Sequence, residues 1–241
     1  MTEKPIQLGL AGLGTVGSGV YETLCRNHAL LEARSKIPFR LKRIAVRNLE
    51  KPRETVVPRE LLTDDWQDLV NDPEIDIVLM DSPGSLKAEG LVPMFVNSDI
   101  IVVPFHYDLM TVPSTASFLL FIDRLKKAVD GRMKSRLFII PNLNDGRVGK
   151  RAELVLWDNA RETFSNYGYV TAKIPKRADM ERFSTMAALD MQASIVTPVF
   201  EKIYAEIFDT TKPIKEVQLT GIQLAENLNP KPKKQESSNN K

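Results

Sequence analysis

Residues 6–17 read IQLGLAGLGTVG, an apolar run that leads directly into a glycine-rich turn. The apolar run predicts a buried β-strand, and the G-x-G-x-x-G pattern after it predicts a tight turn that opens a helix. In such a turn Gly12 permits the sharp bend, Gly14 lets a pyrophosphate approach the backbone, and Gly17 lets helix and strand pack closely. The free N–H groups and the positive dipole end of the helix then favour an anion. The turn therefore predicts a nucleotide-binding site.

Apolar runs and segments of helical period alternate along most of the chain, which predicts an α/β protein with a mostly parallel sheet. We expect a single three-layer domain whose sheet has about six strands or more. The predicted strands are Ile6–Ala11, Arg40–Val46, Ile75–Asp81, Asp99–Pro104, Arg136–Pro141 and Tyr169–Ile174. The predicted helices are Val16–Ala33, Asp64–Val70, Leu86–Val96, Pro113–Ala128, Arg151–Ser165, Met180–Leu189 and Pro198–Phe208.

The composition is that of a globular protein. The chain has 241 residues, of which 43% are hydrophobic and 27% charged, and its net charge is +2. This content of apolar residues excludes disorder for most of the chain. One cysteine, Cys25, excludes a disulfide framework, and two histidines do not favour a histidine-rich metal centre. No apolar stretch is long enough for a membrane span, so a cytoplasmic protein is expected.

The second predicted strand ends in a cationic cluster. An acidic residue at this place binds the ribose hydroxyls of NAD, but here Arg47 follows the strand, and Lys51 and Arg53 come next. Such a cluster suits the 2′-phosphate of NADP. Solvated loop cations are the alternative, and both interpretations stay open at this point.

Residues 6–79 resemble the amino-terminal half of the nucleotide-binding domain of homoserine dehydrogenase. The resemblance rests on the glycine turn, the V-R-N-L-x-K-P-R stretch that begins at Val46 and the N-D-P-E-I-D-I-V run that begins at Asn71. That family reduces aspartate semialdehyde with NAD(P)H, and the resemblance implies that Arg47 suits NADP. The cofactor contacts that it implies are Gly12, Leu13, Gly14, Thr15, Val16 and Gly17.

After Val78 the dehydrogenase pattern ends, and residues of about 80–210 resemble the ParA/MinD group of deviant P-loop ATPases. The segments that carry this likeness include SDIIVVPFHYD, from Ser98, and RLFIIPNLNDGR, from Arg136. The resemblance implies Mg-ATP as cofactor, with Asp81 near the magnesium–water shell and Asn142 near the adenine. It also implies DNA or a partner protein as binding partners. The chain lacks the lysines of the family's phosphate loop, so neither half brings a complete catalytic site.

The two likenesses predict a hybrid, with recombination by engineering favoured over a natural fusion. Its parts would be a dehydrogenase-like segment 1–81, a ParA-like segment 82–209 that shares the same sheet, and a flexible polar tail 210–241. The two families require different strand orders, because strands two and four compete for one edge of strand one. We expect the ParA order, 2-3-1-4-5-6, which is wrong if strand two is hydrogen-bonded to strand one.

Several other residues have both a functional and a structural interpretation. His106 and Asp108 suggest acid–base chemistry, but a loop role is favoured, and Asp81 is expected to cap the next helix. Cys25 is expected to be a packed thiol. The remaining candidates, for phosphate or DNA binding or for core packing, are Lys176, Arg177, Met180, Arg182, Phe183, Met186 and Met191.

The favoured function is a monomeric nucleotide-binding scaffold that retains weak NADP(H) affinity through the glycine turn and has no turnover. One alternative is a ParA-type ATPase acting in DNA partition or conjugation. Another is a fragment of an NADP-dependent homoserine dehydrogenase.

Overall fold

The computed structural model describes residues 4–35, 37–82, 86, 90–145, 151–178 and 190–207. The chain divides into two compact units, of which the first comprises residues 1–85 and 179–193 and the second comprises residues 86–178 and 194–241. Both units combine helices with parallel strands, so the predicted α/β class is confirmed. In the described ranges, no helix has both the length and the apolar character that crossing a membrane requires.

The first unit is built on a four-stranded parallel sheet in the order β3-β2-β1-β4. Its strands are β1 (Ile6–Ala11), β2 (Phe39–Ala45), β3 (Leu62–Thr63) and β4 (Ile77–Met80). Its helices are α1 (Thr15–Arg26), α2 (His28–Ser35) and α3 (Gln67–Val70), with a 3-10 turn at Arg59–Leu61. One apolar cluster joins α1 to the sheet through the buried side chains Leu10, Tyr21, Ile44 and Val46.

The predicted strand order 2-3-1-4-5-6 is wrong, because β2 is hydrogen-bonded to β1. The two strands run parallel in a register that extends from Ile6 opposite Phe39 to Ala11 opposite Ala45. The reason is local: β1, α1 and β2 contribute Leu10, Tyr21 and Ile44 to one apolar cluster, so they pack together as a unit.

The second unit contains a three-stranded parallel sheet in the order β5-β6-β7. Its strands are β5 (Ile100–Phe105), β6 (Arg136–Pro141) and β7 (Tyr169–Val170). Its helices are α4 (Leu91–Asn97), α5 (Thr111–Ala128), α6 (Arg151–Ser165) and most of α7 (Asp190–Ile207). The described strands thus pair into two sheets and not into the single shared sheet that was expected. The division into segments 1–81, 82–209 and 210–241 by family stays a prediction.

Most element positions agree with the sequence patterns, and the differences have local causes. The predicted helix Val16–Ala33 is two helices, because the backbone leaves the helical conformation at Asn27, the C-cap residue of α1 (φ −109°, ψ 15°), and α2 begins at His28. The last predicted strand is shorter than expected, and the two-residue strand β3 was not predicted. The predicted helix Met180–Leu189 and the tail from residue 210 lie outside the described residues.

Among the described glycines of the first unit, Gly17 leaves the least room for a side chain. A Cβ at Gly17 would lie 2.3 Å from the carbonyl oxygen of Gly12, so the backbone itself must move to admit it. We therefore expect Gly17→Ala to lower the free energy of unfolding by about 1–3 kcal/mol. Urea unfolding measures this through Trp66, which lies in the first unit, in a Trp157→Phe background that removes the other tryptophan.

The matched control is Gly19→Ala, a change of the same size in the same helix. Among the described residues, no atom lies within 4 Å of a Cβ at Gly19. This change is expected to stabilise the unit by about 0.4–1 kcal/mol, because alanine lowers the entropy of the unfolded chain. Equal effects of the two substitutions would contradict the close contact at Gly17.

Candidate functional site

The first unit brings three of the predicted site regions to one edge of its sheet. Gly12 follows β1, Arg47 lies two residues after β2, and Asp81 follows β4. Hydrogen bonds join these strand ends: the N–H of Gly12 donates to Ala45 O at 3.0 Å, and the N–H of Asp81 donates to Ala11 O at 3.2 Å. Because all the strands are parallel, this is the carboxyl edge, where open α/β sheets bind ligands.

The sharp bend of the turn depends on glycine at two places. Gly12 has a φ of 105°, a left-handed conformation that other residues rarely adopt. Gly17 is buried, and the carbonyl of Gly12 occupies the space that a side chain there would need. The turn thus leaves β1 and enters α1 within a few residues. Its shape is fixed by contacts inside the protein.

Gly14 differs from these two glycines, because its open side is turned away from the protein. Among the described residues, no atom lies within 4 Å of the place where its Cβ would be. Gly14 is the N-cap residue of α1, with a φ of −81° and no side chain that could cap the helix. The first turn of α1 contains no acidic residue, and Thr15 and Val16 are exposed. The amides of this turn, which helix geometry leaves without partners in the helix, are therefore open to an anion.

The cationic cluster after β2 divides into two kinds of side chain. Arg47 and Lys51 are exposed, and within the described ranges neither side chain forms an ion pair or a hydrogen bond. Arg53 donates through Nη1 to the carbonyls of Leu49 and Lys51, at 3.2 and 2.9 Å, and through Nη2 to that of Asn48, at 2.5 Å. Arg47 and Lys51 are thus available to a phosphate, whereas the guanidinium of Arg53 is hydrogen-bonded to backbone carbonyls. The predicted contact of Arg53 with a phosphate stays a prediction.

A contact that the sequence did not reveal ties this loop to α1. The hydroxyl of Thr55 donates to a carboxylate oxygen of Glu22 at 2.8 Å. Leu49 and Val57 pack against the apolar cluster that contains Tyr21. Thr55 and Glu22 are 33 positions apart, so no local sequence pattern connects them. Only the fold shows that the cationic loop contacts the helix that follows the glycine turn.

Asp81 lies beside the glycine turn, with its carbonyl oxygen 3.7 Å from the place of a Cβ at Gly12. The expectation that it caps the next helix is wrong for α4, whose N-cap residue is Gly90. In the part of the chain that the structure describes, no group of three or more His, Cys, Asp or Glu side chains is arranged to hold a metal ion. The role of Asp81 toward magnesium stays a prediction.

Asn142 belongs to the second unit, where it follows β6. Its N–H donates to Phe105 O at 2.7 Å, and its side-chain oxygen accepts the N–H of Leu143 at 2.9 Å. These bonds fix the backbone after two neighbouring strands. The predicted contact of Asn142 with adenine stays a prediction.

Asp108 has a structural role at the start of α5. Its carboxylate accepts the backbone N–H groups of Met110 and Thr111, at 2.8 and 2.6 Å, and the hydroxyl of Thr111 at 2.7 Å. The hydroxyl bond is the main cause that lowers the pKa of Asp108, and the 3.9 Å approach of His106 adds to it. This geometry supports the loop role that the sequence favoured over acid–base chemistry.

The lowered pKa of Asp108 predicts how stability depends on pH. A carboxyl whose folded-state pKa is depressed stabilises the protein above its unfolded pKa, and the effect is lost as the pH falls through the folded value. Asp108→Ala should therefore cost about 0.5–1 kcal/mol at pH 7, and this cost should shrink as the pH is lowered. Urea unfolding followed by Trp157 in a Trp66→Phe background measures the difference.

Asp108→Asn is the control, since the amide oxygen still accepts the helix N–H groups but carries no charge. Its effect is expected to be smaller than that of Asp108→Ala. A cost of Asp108→Ala that stays constant at every pH would contradict a role for the ionised carboxylate.

The remaining candidates belong to other elements of the chain or lie outside the described residues. Cys25 is exposed, so the expectation of a packed thiol is wrong. It neighbours Tyr21, whose pKa is raised mainly by burial. Lys176 and Arg177 are exposed. Outside the described residues lie Met180, Arg182, Phe183 and Met186, together with the side chain of Met191.

The sheet order and the glycine turn of the first unit define a Rossmann-like nucleotide-binding fold. The model of the family "Homoserine dehydrogenase, NAD binding domain" matches residues 12–121. The match therefore extends past Leu79, where the sequence patterns alone placed the end of the resemblance. The sequence of this part of the chain is thus similar to that of the nucleotide-binding domain of homoserine dehydrogenases.

Two curated relatives show the extent of the similarity. The homoserine dehydrogenase of Bacillus subtilis (strain 168) is 36% identical over 109 residues, which are 45% of this chain and 25% of the relative. That of Methylobacillus glycogenes is 34% identical over 155 residues, which are 64% of this chain and 37% of the relative. The chain thus spans between a quarter and two fifths of the length of these enzymes.

Two solved structures resemble the chain more remotely. The homoserine dehydrogenase of S. aureus at pH 7.5 is 20% identical, with a TM-score of 0.31, and the match covers 69% of this chain and 32% of that one. Apo McdA of Cyanthece is 13% identical, with a TM-score of 0.44, and the match covers 85% of this chain and all of that one, 100%. At these TM-scores neither likeness supports a functional conclusion.

Proposed function

We propose that the chain binds NADP(H) through the glycine turn and acts as a nucleotide-binding module without turnover of its own. The observation that carries the proposal is the open side of Gly14 at the uncapped start of α1. The family match over residues 12–121 supports a nicotinamide dinucleotide as the ligand class.

The pyrophosphate is assigned to the first turn of α1. Backbone N–H groups there meet the anion directly, and the helix dipole adds to the attraction. Gly14 admits the close approach because it has no side chain, whereas Gly12 and Gly17 shape the turn from within. The phosphate is held by the backbone, since the turn contains no lysine or arginine.

The 2′-phosphate of NADP is assigned to Arg47 and Lys51. In this fold the residues after the second strand lie near the adenosine ribose, and an arginine there accommodates the 2′-phosphate. Both side chains are exposed, and a guanidinium can bind two phosphate oxygens at once. NADP is therefore preferred to NAD.

Absence of turnover is proposed because the residues after Val78 lack the paired glycines and the T-A-N-K segment that the resemblance would require. The hybrid origin, the ATPase alternative with Mg-ATP and DNA, and the monomeric state stay predictions.

Gly14→Asp separates binding from folding. Aspartate is a better N-cap residue than glycine, and Gly14 already has a φ that aspartate adopts, so the free energy of unfolding should stay equal or rise. Its carboxylate would occupy the phosphate position and repel the anion, so NADPH affinity should fall by about tenfold or more. NADPH fluorescence titration measures this, with Mg-ATP titrated in parallel.

Gly19→Asp is the matched control, because it adds the same charge at an exposed position farther along the same helix. It should leave NADPH affinity within about twofold of the wild type. An equal loss in both variants, or unchanged binding in Gly14→Asp, would contradict the assignment of the pyrophosphate. Tight binding of Mg-ATP that Asp81→Ala abolishes would favour the ATPase alternative instead.

Arg47→Ala tests the preference for NADP. Removing the guanidinium should weaken NADPH binding by about tenfold, because a charged hydrogen bond is lost, while NADH binding should change little. Isothermal titration with both cofactors measures the ratio. Arg40→Ala is the control, since Arg40 is an exposed arginine near the amino end of β2, whereas Arg47 follows its carboxyl end. Equal losses for NADH and NADPH in Arg47→Ala would contradict a contact with the 2′-phosphate.

A further inference from the structure

The loop after β2 contains three cations, and their surroundings assign them different tasks. Arg47 and Lys51 are exposed and unpaired within the described ranges, whereas Arg53 is partly buried and bonded to the backbone. Three carbonyls converge on one guanidinium, those of Asn48, Leu49 and Lys51. The backbone between Arg47 and Arg53 is thus folded around the side chain of Arg53.

We infer that Arg53 is a positioning residue, whose guanidinium folds residues 48–51 into a turn that presents Arg47 and Lys51 to the 2′-phosphate. The inference rests on the proposed NADP site and adds the residue that organises it. Arg53 itself contributes little direct charge to the phosphate, because its donors are directed at three carbonyl oxygens of the loop.

The rest of the loop has contacts at both ends, and the bonds of Arg53 connect the segment between them. Leu49 packs against the apolar cluster of the first unit, and Thr55 is bonded to Glu22 of α1. Between these anchors, the side-chain oxygen of Asn48 accepts the N–H of Glu50 at 2.9 Å, which closes only a short local turn. Arg53 supplies the bonds that join this short turn to the later part of the loop.

Arginine is required here because of its geometry and not only because of its charge. Two nitrogens of the guanidinium, Nη1 and Nη2, donate hydrogen bonds to the carbonyls of three different residues. The ammonium of lysine is a single point donor on a flexible stem and cannot reproduce that spread. Arg53→Lys therefore keeps the net charge of the loop but removes its organisation.

The first arm of the test measures loop order without any cofactor. In Arg53→Lys, amide hydrogen exchange should become faster in residues 47–55 and stay unchanged in β1 and α1. Arg59→Lys is the matched control, because Arg59 forms an exposed ion pair with Glu50 at 2.7 Å and contacts none of the three carbonyls. Exchange that is the same in Arg53→Lys and the wild type would overturn the inference, whatever the cofactor data show.

The second arm is a double-mutant cycle on the selectivity for NADPH over NADH. Arg53→Lys alone should lower the selectivity by about tenfold, and in the Arg47→Ala/Lys51→Ala background it should change the selectivity by less than about twofold. An equal loss in both backgrounds would show that Arg53 contacts the phosphate itself and would overturn the inference. Wild-type chain that binds neither cofactor would contradict the proposed function, and the exchange arm would still decide the role of Arg53 in the loop.

Discussion

The close approach of Gly17 to the carbonyl of Gly12 is the constraint on which the first unit depends. It brings the start of α1 against the end of β1, with 2.3 Å between that oxygen and the place of a Cβ at Gly17. This packing sets the direction in which α1 leaves the sheet and places Tyr21 in the cluster with Leu10 and Ile44. The same contact aims the free amides of the first turn at the carboxyl edge. Fold and candidate site thus share one cause.

In the proposed site, the glycines and the cations divide the tasks of shaping the backbone and contacting the ligand. Gly12 and Gly17 shape the turn, and Gly14 leaves its open side to the ligand. In the cationic loop, Arg53 organises the backbone and leaves Arg47 and Lys51 exposed. A backbone that is already folded loses little entropy when a phosphate binds, so the proposed NADP site would need only a few contacts for selectivity.

The sequence predicted the local elements better than their arrangement. The range of β1 and the glycine turn were read correctly, because apolar runs and glycine spacing are local signals. The predicted order of strands was wrong, because it depends on which strand pairs with β1 at one edge. In the structure β2 pairs there, and the packing of α1 on both strands stabilises this arrangement. The roles of Arg53 and Thr55 could not be predicted from the sequence either. Arg53 is bonded to backbone carbonyls and Thr55 to the carboxylate of Glu22, and only the folded loop brings these groups together.

Backbone amide shifts of isotopically labelled protein, recorded during NADPH addition, test the central claim most directly. The account predicts that the amides of Gly14, Thr15, Val16 and Gly17 move first and farthest, since they would bond the pyrophosphate oxygens, and that Gly19 moves less. Saturable binding that leaves these amides unchanged and shifts only signals of the second unit would contradict a phosphate cradle at the head of α1.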